Sequence, residues 1–108
     1  MRNGLYSVLF NVGSEEGSGV AFLRGGRLWG GDGGFFYVGT LSGEEGAVSG
    51  QLHIGQHLHG VHNSFQGLTD FQLTLSGTIA DDVIAVVGNA TDGSALIVNF
   101  RMTLVVAE

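Results

Sequence analysis

The sequence predicts an all-β fold, an antiparallel up-and-down barrel of about eight strands with little helix. Three observations carry this prediction. Apolar and polar side chains alternate with a period of two, and no window shows a helical 3.6-residue stripe. Tight-turn pairs such as Gly25-Gly26 and Asp92-Gly93 separate short apolar runs. Glycine supplies 20 of the 108 residues and proline none, and the glycines are spread through apolar segments, as a strongly coiled sheet requires.

The elements follow in order from this alternation, all within one domain spanning residues 1–108. Strands are predicted at about 6–12, 18–24, 27–29, 35–41, 48–54, 70–79, 83–90 and 96–106. Acidic or glycine-rich turns are expected at 13–17, 25–26, 30–34, 42–46, 81–82 and 92–93. Segment 55–68 is the least regular and is interpreted as a strand end plus a loop or a short turn of helix. Because closure removes exposed strand edges, a barrel is favoured over a flat sandwich, which is the alternative architecture.

Two of the strands set the expected core. Tyr6, Val8, Phe10 and Val12 share one face of the first strand. On the last strand, the inward face is predicted to be Leu96, Val98, Phe100, Met102, Leu104 and Val106.

The charge balance restricts the partners. Ten carboxylates stand against four arginines and no lysine, which gives a formal net charge of −6. Nucleic acids and anionic membranes select basic surfaces, so direct binding of either is not expected. A basic protein is the partner that such a surface would attract.

The compartment is inferred from what the chain lacks. There is no cysteine for a disulfide framework or a thiolate site. Residues 1–7 enter the strand alternation directly, without the apolar run of a signal peptide, and no stretch of 18 apolar residues occurs. We therefore expect a cytoplasmic protein.

Four histidines form the first candidate for chemistry. His53, His57 and His59 share strand parity, and His62 lies just beyond them. Imidazoles at alternate positions can ligate zinc or copper. No carboxylate lies among them, so solvent-facing polar positions are the preferred interpretation, and neither a metal nor another cofactor is expected.

Paired carboxylates form the second candidate. Adjacent residues of an extended turn point in different directions, whereas glycoside hydrolysis needs two carboxylates facing each other across a cleft. The pairs are Glu15-Glu16, Glu44-Glu45 and Asp81-Asp82. We expect no enzymatic activity, and we interpret the acidic turns as solvated tips that could dock a protein.

Aromatic residues in the first half of the chain form the third candidate, a ligand-binding pocket. Trp29, Phe35 and Tyr37 could line a ligand pocket at a barrel mouth, with a small apolar molecule carried inside. They could equally pack in the core or at a dimer contact, and packing in the core is the favoured interpretation.

Several strands are apolar on both faces, which one small barrel cannot bury alone. The excess outer side chains are Leu5, Leu9, Val83, Ala85, Val87, Ile97 and Val105. A homodimer is therefore predicted.

Four segments carry a resemblance to a known family. They are 3–10 (NGLYSVLF), 19–23 (GVAFL), 26–32 (GRLWGGD) and 37–42 (YVGTLS). Together they resemble the GrlR-type negative regulators of bacterial type III secretion. The resemblance implies a lipocalin-like barrel, often dimeric and without enzymatic activity, that sequesters a transcriptional activator through an exposed acidic loop. The corresponding turn is 42–46, where Glu44 and Glu45 are the partner-binding residues that the resemblance implies.

Overall fold

Eight antiparallel strands close into a barrel in the computed structural model, which describes all 108 residues. The strands are β1 (Gly4–Val12), β2 (Glu15–Arg24), β3 (Arg27–Gly31), β4 (Phe35–Glu44), β5 (Ala47–Gln56), β6 (Asp70–Ala80), β7 (Val83–Ala90) and β8 (Ile97–Ala107). Each pairs with its neighbour in sequence, and β8 pairs with β1 to close the ring. The predicted fold class is confirmed. No helix is long and apolar enough to cross a membrane.

The two ends of the barrel have different connections. At one end, which we call the hairpin end, the turns are Gly25-Gly26, Glu45-Gly46 and Asp81-Asp82, and both chain termini emerge there. At the other, the loop end, the connections are 13–14, 32–34, 57–69 and 91–96. At Gly25-Gly26 both backbone φ angles are positive (58° and 80°), which explains why glycine occupies both positions of this hairpin.

The core fills the barrel from end to end. Twenty-three buried apolar residues form one cluster. The predicted inward faces of β1 and of the first part of β8 lie in it, which confirms the period-two interpretation. Two strand glycines are covered by an aromatic ring from the paired strand: Phe10 lies over Gly17 inside the barrel, and Phe36 lies over Gly55 outside.

Two local expectations need correction. Glu15 and Glu16 lie in β2 and not in the preceding turn, because β2 pairs with β1 as far as Val12. Val106 is 58% exposed instead of buried, because the register shifts between the Leu5 and Tyr6 pairs and the alternation of β8 inverts there. For the irregular segment, the predicted strand end and loop are confirmed, since β5 ends at Gln56 and residues 57–69 form turns and bends without a helix.

Candidate functional site: the acidic hairpin and its surroundings

The β4–β5 hairpin extends beyond β3 at the hairpin end, whereas β6 lies alongside it up to the turn, where the Ile79 amide donates to the Gly46 carbonyl at 2.9 Å. Pairing of β3 with β4 ends at the Arg27–Thr40 pair, whereas β4 continues to Glu44, paired with Ala47 of β5. The Leu41 amide donates to the Gly26 carbonyl at 2.8 Å, which fixes where the projecting part begins. We call residues 41–48 the acidic hairpin. It lines an open depression of about 440 Å³.

Glu44 and Glu45 are both exposed at its tip, so the structure places these predicted partner-binding residues where another molecule can reach them. Glu45 has a φ of 55°, in the left-handed region, and Gly46 follows with 83°. Two consecutive positive φ values match the twist of the flanking strands in a two-residue hairpin. A glutamate in this conformation is strained, because the left-handed region favours glycine or asparagine.

Ion pairs neutralise other charges of this end but not the tip. Arg2 contacts Asp82 at 2.9 Å, and Arg24 contacts Glu108. Neither Glu44 nor Glu45 makes an ion pair within the chain. Their charges are therefore available to a cationic partner.

The three aromatic candidates for a ligand pocket do not come together. Phe35 and Tyr37 are 2% and 1% exposed inside the barrel, whereas Trp29 is 43% exposed on its outer face. The remaining internal void is about 20 Å³, room for about one water molecule. The barrel thus has no preformed cavity for the carrier alternative.

Tyr37 instead belongs to a hydrogen-bond cluster at the loop end, centred on Asp32. The Oδ1 atom of Asp32 accepts from the backbone amides of Gly34 (2.9 Å) and Phe35 (2.8 Å), and its Oδ2 atom accepts from the Tyr37 hydroxyl. Burial, together with this bond and the adjacent carboxylate charge, raises the pKa of Tyr37 well above its ordinary value. The predicted glycine-rich break at 30–34 is thus confined to 32–34, where one carboxylate organises the bend, whereas Gly30 and Gly31 are paired residues of β3.

The histidines are dispersed among separate partners. Their nearest polar contacts are His53 Nε2 to Asp70 Oδ1 (2.8 Å), His57 Nε2 to the Asp32 carbonyl (2.9 Å) and His62 Nε2 to Glu15 Oε2 (3.0 Å). No group of three or more His, Asp or Glu side chains is arranged to hold a metal ion. The His57 and His62 contacts tie segment 57–69 to the 32–34 connection and to β2, whereas the His53 contact joins β5 to β6.

Phe65 is the core residue that sequence reasoning missed. It lies in segment 57–69, is 1% exposed, and closes the loop end of the barrel. Its ring stacks on Phe10 (centroids 5.1 Å apart) and meets Phe35 and Phe71 at 5.0 and 5.3 Å. The Asn63 side chain holds the turn by accepting from the Phe65 amide and donating to the Leu68 carbonyl. An Asn followed by an isolated apolar residue in a polar segment is the only local signal of this arrangement.

Exposed and half-buried apolar side chains form two groups on the outer wall of the barrel. The first, which we call the aromatic wall, lies on β2, β3 and β4 and comprises Val20, Phe22, Trp29, Phe36 and Val38. The second, the aliphatic wall, lies on β7, β8 and β1 and includes Leu9, Val87, Ile97 and Val105. Polar residues interrupt the second group, since Arg101 lies between Leu9 and Ala85 and Asn99 lies beside Val87.

Comparison with known proteins adds no relative. Neither a protein-family model nor a curated protein matches this sequence.

Proposed function

We propose that this chain is a non-enzymatic cytoplasmic regulatory protein that sequesters a basic protein partner, such as a transcriptional activator of type III secretion, through the acidic hairpin. The observation that carries the proposal is the exposed Glu44-Glu45 tip, without ion pairs, of a hairpin that extends beyond β3 at the rim of the barrel. The resemblance to GrlR-type regulators assigns the partner-binding role to the same turn.

Charge supports a cationic partner. The formal net charge of −6 gives long-range attraction to a basic surface, and the two carboxylates concentrate it at one accessible point. Such charges raise the association rate and select the partner more than they deepen the affinity. Binding is therefore expected to weaken as salt rises.

The packed interior of the barrel favours binding of a partner at the outer surface over binding of a small ligand inside. With about 20 Å³ left inside the barrel, the chain has little room for a small ligand without moving core side chains. An exposed turn needs no such rearrangement.

The test is retention of host proteins from native lysate on the immobilised protein, at low and at moderate salt, with identification by mass spectrometry. The test variant is Glu44→Gln/Glu45→Gln. The matched control, Glu16→Gln/Asp92→Asn, removes two exposed carboxylates near the loop end that make no ion pair, so both variants change the formal charge from −6 to −4 (−6 + 2).

The proposal expects a basic DNA-binding protein that is held at low salt and released at moderate salt. The control should retain it, and the Glu44/Glu45 variant should lose most of it. Equal retention by both variants would remove the hairpin from the interaction. A small molecule that co-purifies with the protein, in place of any protein partner, would favour the carrier alternative.

A further inference from the structure

The hydrogen-bonded pairing of β2 stops halfway along the strand on one side. β2 has ten residues, whereas its neighbour β3 has five, so the pairing between them ends at Val20 and Gly31. Residues 15–19 of β2 pair with β1 only. This leaves an unpaired strand edge in the barrel wall, and such an edge is a template for pairing with another chain.

The unpaired edge carries free backbone groups. Arg24 and Arg27 flank a two-residue turn and so form a hydrogen-bonded pair, and every second residue of β2 bonds to the same side. Ser18 and Glu16 continue this series where no β3 residue lies opposite them. Their amides and carbonyls take part in none of the hydrogen bonds outside the strand ladders, and both residues are exposed. The edge therefore offers donors and acceptors to an incoming chain.

An open depression of about 290 Å³ runs beside this edge. Ser18 forms part of its β2 side, and connection 32–34 and segment 57–69 form the other side. His62 joins the two sides where β2 begins, since its Nε2 atom lies 3.0 Å from Glu15 Oε2. We call this depression the β2 slot. Because its far side is a wall of the same chain, a single extended segment fits it, whereas the edge of a second barrel does not.

The slot also restricts the side chains of its occupant. Its inner side is apolar and includes the rings of Phe10, Phe35 and Phe65. Its rim is acidic, because Glu16 is exposed and makes no ion pair, and neither lysine nor arginine lines the slot. Arg101 lines a separate depression on the β1–β8 side of Glu16. A cationic side chain of the occupant therefore complements the rim.

We propose that the β2 slot binds an extended segment of a partner protein, which adds to β2 as an antiparallel strand in place of the missing half of β3. Backbone hydrogen bonds to Ser18 and Glu16 supply the affinity, as in other cases of strand addition. Successive side chains of the segment alternate between the two faces. The residue opposite Gly17 points inward and is apolar, and the next one, opposite Glu16, points outward and is basic. The preferred segment is thus an apolar residue followed directly by lysine or arginine.

An extended main chain matches the edge better than a small molecule does. The backbone groups of Ser18 and Glu16 repeat at a spacing of two residues, roughly 6.8 Å, and a peptide in the β conformation repeats its own donors and acceptors at the same spacing. The inference does not rest on the proposed function, because the acidic hairpin lies at the opposite end of the barrel.

The test is the affinity for a synthetic peptide, measured by fluorescence anisotropy. The probe is fluorescein-labelled Thr-Val-Thr-Phe-Lys-Val-Thr with an amidated C-terminus, in which Phe-Lys is the expected recognition element. Ser18→Pro should raise the dissociation constant at least about tenfold, because the proline ring removes the amide hydrogen and occupies the edge. The matched control, Ser18→Ala, keeps both backbone groups and should bind within about twofold of the original chain. Since the Ser18 amide makes no bond in the free chain, proline there leaves the pairing with β1 intact.

Modified probes keep the test valid if Ser18→Pro does not fold, which far-UV circular dichroism checks. An N-methyl group on the threonine before phenylalanine blocks an amide that faces β2, and it should weaken binding at least about tenfold. The control is an N-methyl group on the valine after lysine, whose amide points away from β2, and it should weaken binding less than about threefold. Replacing the lysine of the probe by glutamate should weaken binding about two- to fivefold, as expected for an exposed charge pair.

Hydrogen exchange followed by NMR locates the contact. In the free protein the amides of Ser18 and Glu16 should exchange rapidly, whereas those of Gly17 and Gly19, which face β1, should be protected. Saturation with the probe should slow exchange at Ser18 and Glu16 at least about tenfold. Unchanged rates at these two amides would place the peptide elsewhere.

Three further results would overturn the proposal. Absence of binding at millimolar probe rules out the site. Equal binding by Ser18→Pro and Ser18→Ala, or equal effects of the two N-methyl groups, shows that backbone pairing does not hold the peptide. Loss of a dimer in Ser18→Pro, seen by sedimentation velocity without any binding of the probe, assigns the edge to a second copy. Glu44→Gln/Glu45→Gln should bind the probe as the original chain does, so failure of either proposal leaves the other standing.

Discussion

The hairpin end and the loop end close the same barrel by different means. At the hairpin end two-residue turns join the strands, and charged side chains such as Glu44 and Glu45 extend into solvent. At the loop end three of the four connections are longer, and the longest, 57–69, places Phe65 in the opening. The comparison indicates that the loop end contributes core packing, whereas the hairpin end is free to make contacts with other molecules.

Hydrogen bonding follows the same division. Around Asp32 three donors converge on one carboxylate, and Asn63 supplies both an acceptor and a donor to its own loop. The Glu44 and Glu45 carboxylates have no such intramolecular partners. Substitutions at the loop end should therefore change stability, and those at the acidic hairpin should change binding.

The largest expected effect on stability is from removing the Phe65 ring, which closes the loop end of the barrel. Phe65→Ala deletes a fully buried ring in contact with three other phenylalanines, so we expect the free energy of unfolding to fall by about 3–5 kcal/mol. Urea denaturation followed by far-UV circular dichroism measures it. Leu58→Ala is the control, because Leu58 lies in the same loop but is 51% exposed and should change stability by less than about 0.5 kcal/mol. Equal losses in the two variants would mean that Phe65 does not close the barrel.

The next largest expected effect is a loss of stability at alkaline pH, which should be larger for Tyr37 at the loop end than for Tyr6 at the hairpin end. Tyr37 donates to Asp32 at the loop end, and Tyr6 donates to the Arg2 carbonyl at the hairpin end. The pKa of both is raised above 10, chiefly by burial, and that of Tyr37 is raised strongly. As pH rises, the tyrosine hydroxyls therefore lose their protons in the unfolded chain before they do so in the folded one. Their contribution to the free energy of unfolding is complete below about pH 10. Above that pH it is lost by up to about 1.4 kcal/mol per pH unit for each tyrosine.

Urea midpoints between pH 8 and pH 11 test this difference. Tyr37→Phe should flatten the alkaline decline more than Tyr6→Phe does, whatever each substitution costs at pH 8. A steeper decline in Tyr37→Phe than in the original chain would contradict the assigned role of the Asp32–Tyr37 bond.

The smallest effect is from relieving the strain in the acidic hairpin. Glu45→Asn should raise the free energy of unfolding by about 0.5–1 kcal/mol, because asparagine tolerates the φ of 55° better than glutamate does. Gly46→Ala, at a φ of 83°, should instead lower it by about 1 kcal/mol. Thermal melts of the two variants show whether each substitution raises or lowers stability. If Glu45→Asn is more stable yet retains less of the basic partner, then Glu45 serves binding at the expense of stability, as the contrast between the two ends predicts. A loss of stability would instead mean that Glu45 supports the fold.

Much of the fold follows from local pattern. Alternation located the strands, and the paired glycines at 25–26 located a turn whose backbone only glycine adopts easily. The tip position of Glu44 and Glu45 also followed from sequence, since an acidic, glycine-flanked pair between two apolar runs is typical of a hairpin. These features depend on residues close together in the chain.

The features that escaped prediction depend on distant residues. Phe65 has no periodic neighbours, and its burial follows from rings on β1, β4 and β6. The outward position of Trp29 depends on which face of a five-residue strand turns inward, and so short a strand carries little alternation. The inversion at Val106 comes from a register shift against β1, which the sequence of β8 alone does not reveal.

The seam between β1 and β8 determines how the protein can be handled in experiments. The Glu108 amide donates to the Asn3 carbonyl at 3.0 Å, and the Met1 side chain lies beside Gly43. An affinity tag or fluorophore on either terminus would therefore sit next to the acidic hairpin and compete with whatever binds there. Because the ends are adjacent, a short linker could join them, and a circular permutant opened in the 91–96 connection would carry its tag at the opposite end, away from the hairpin.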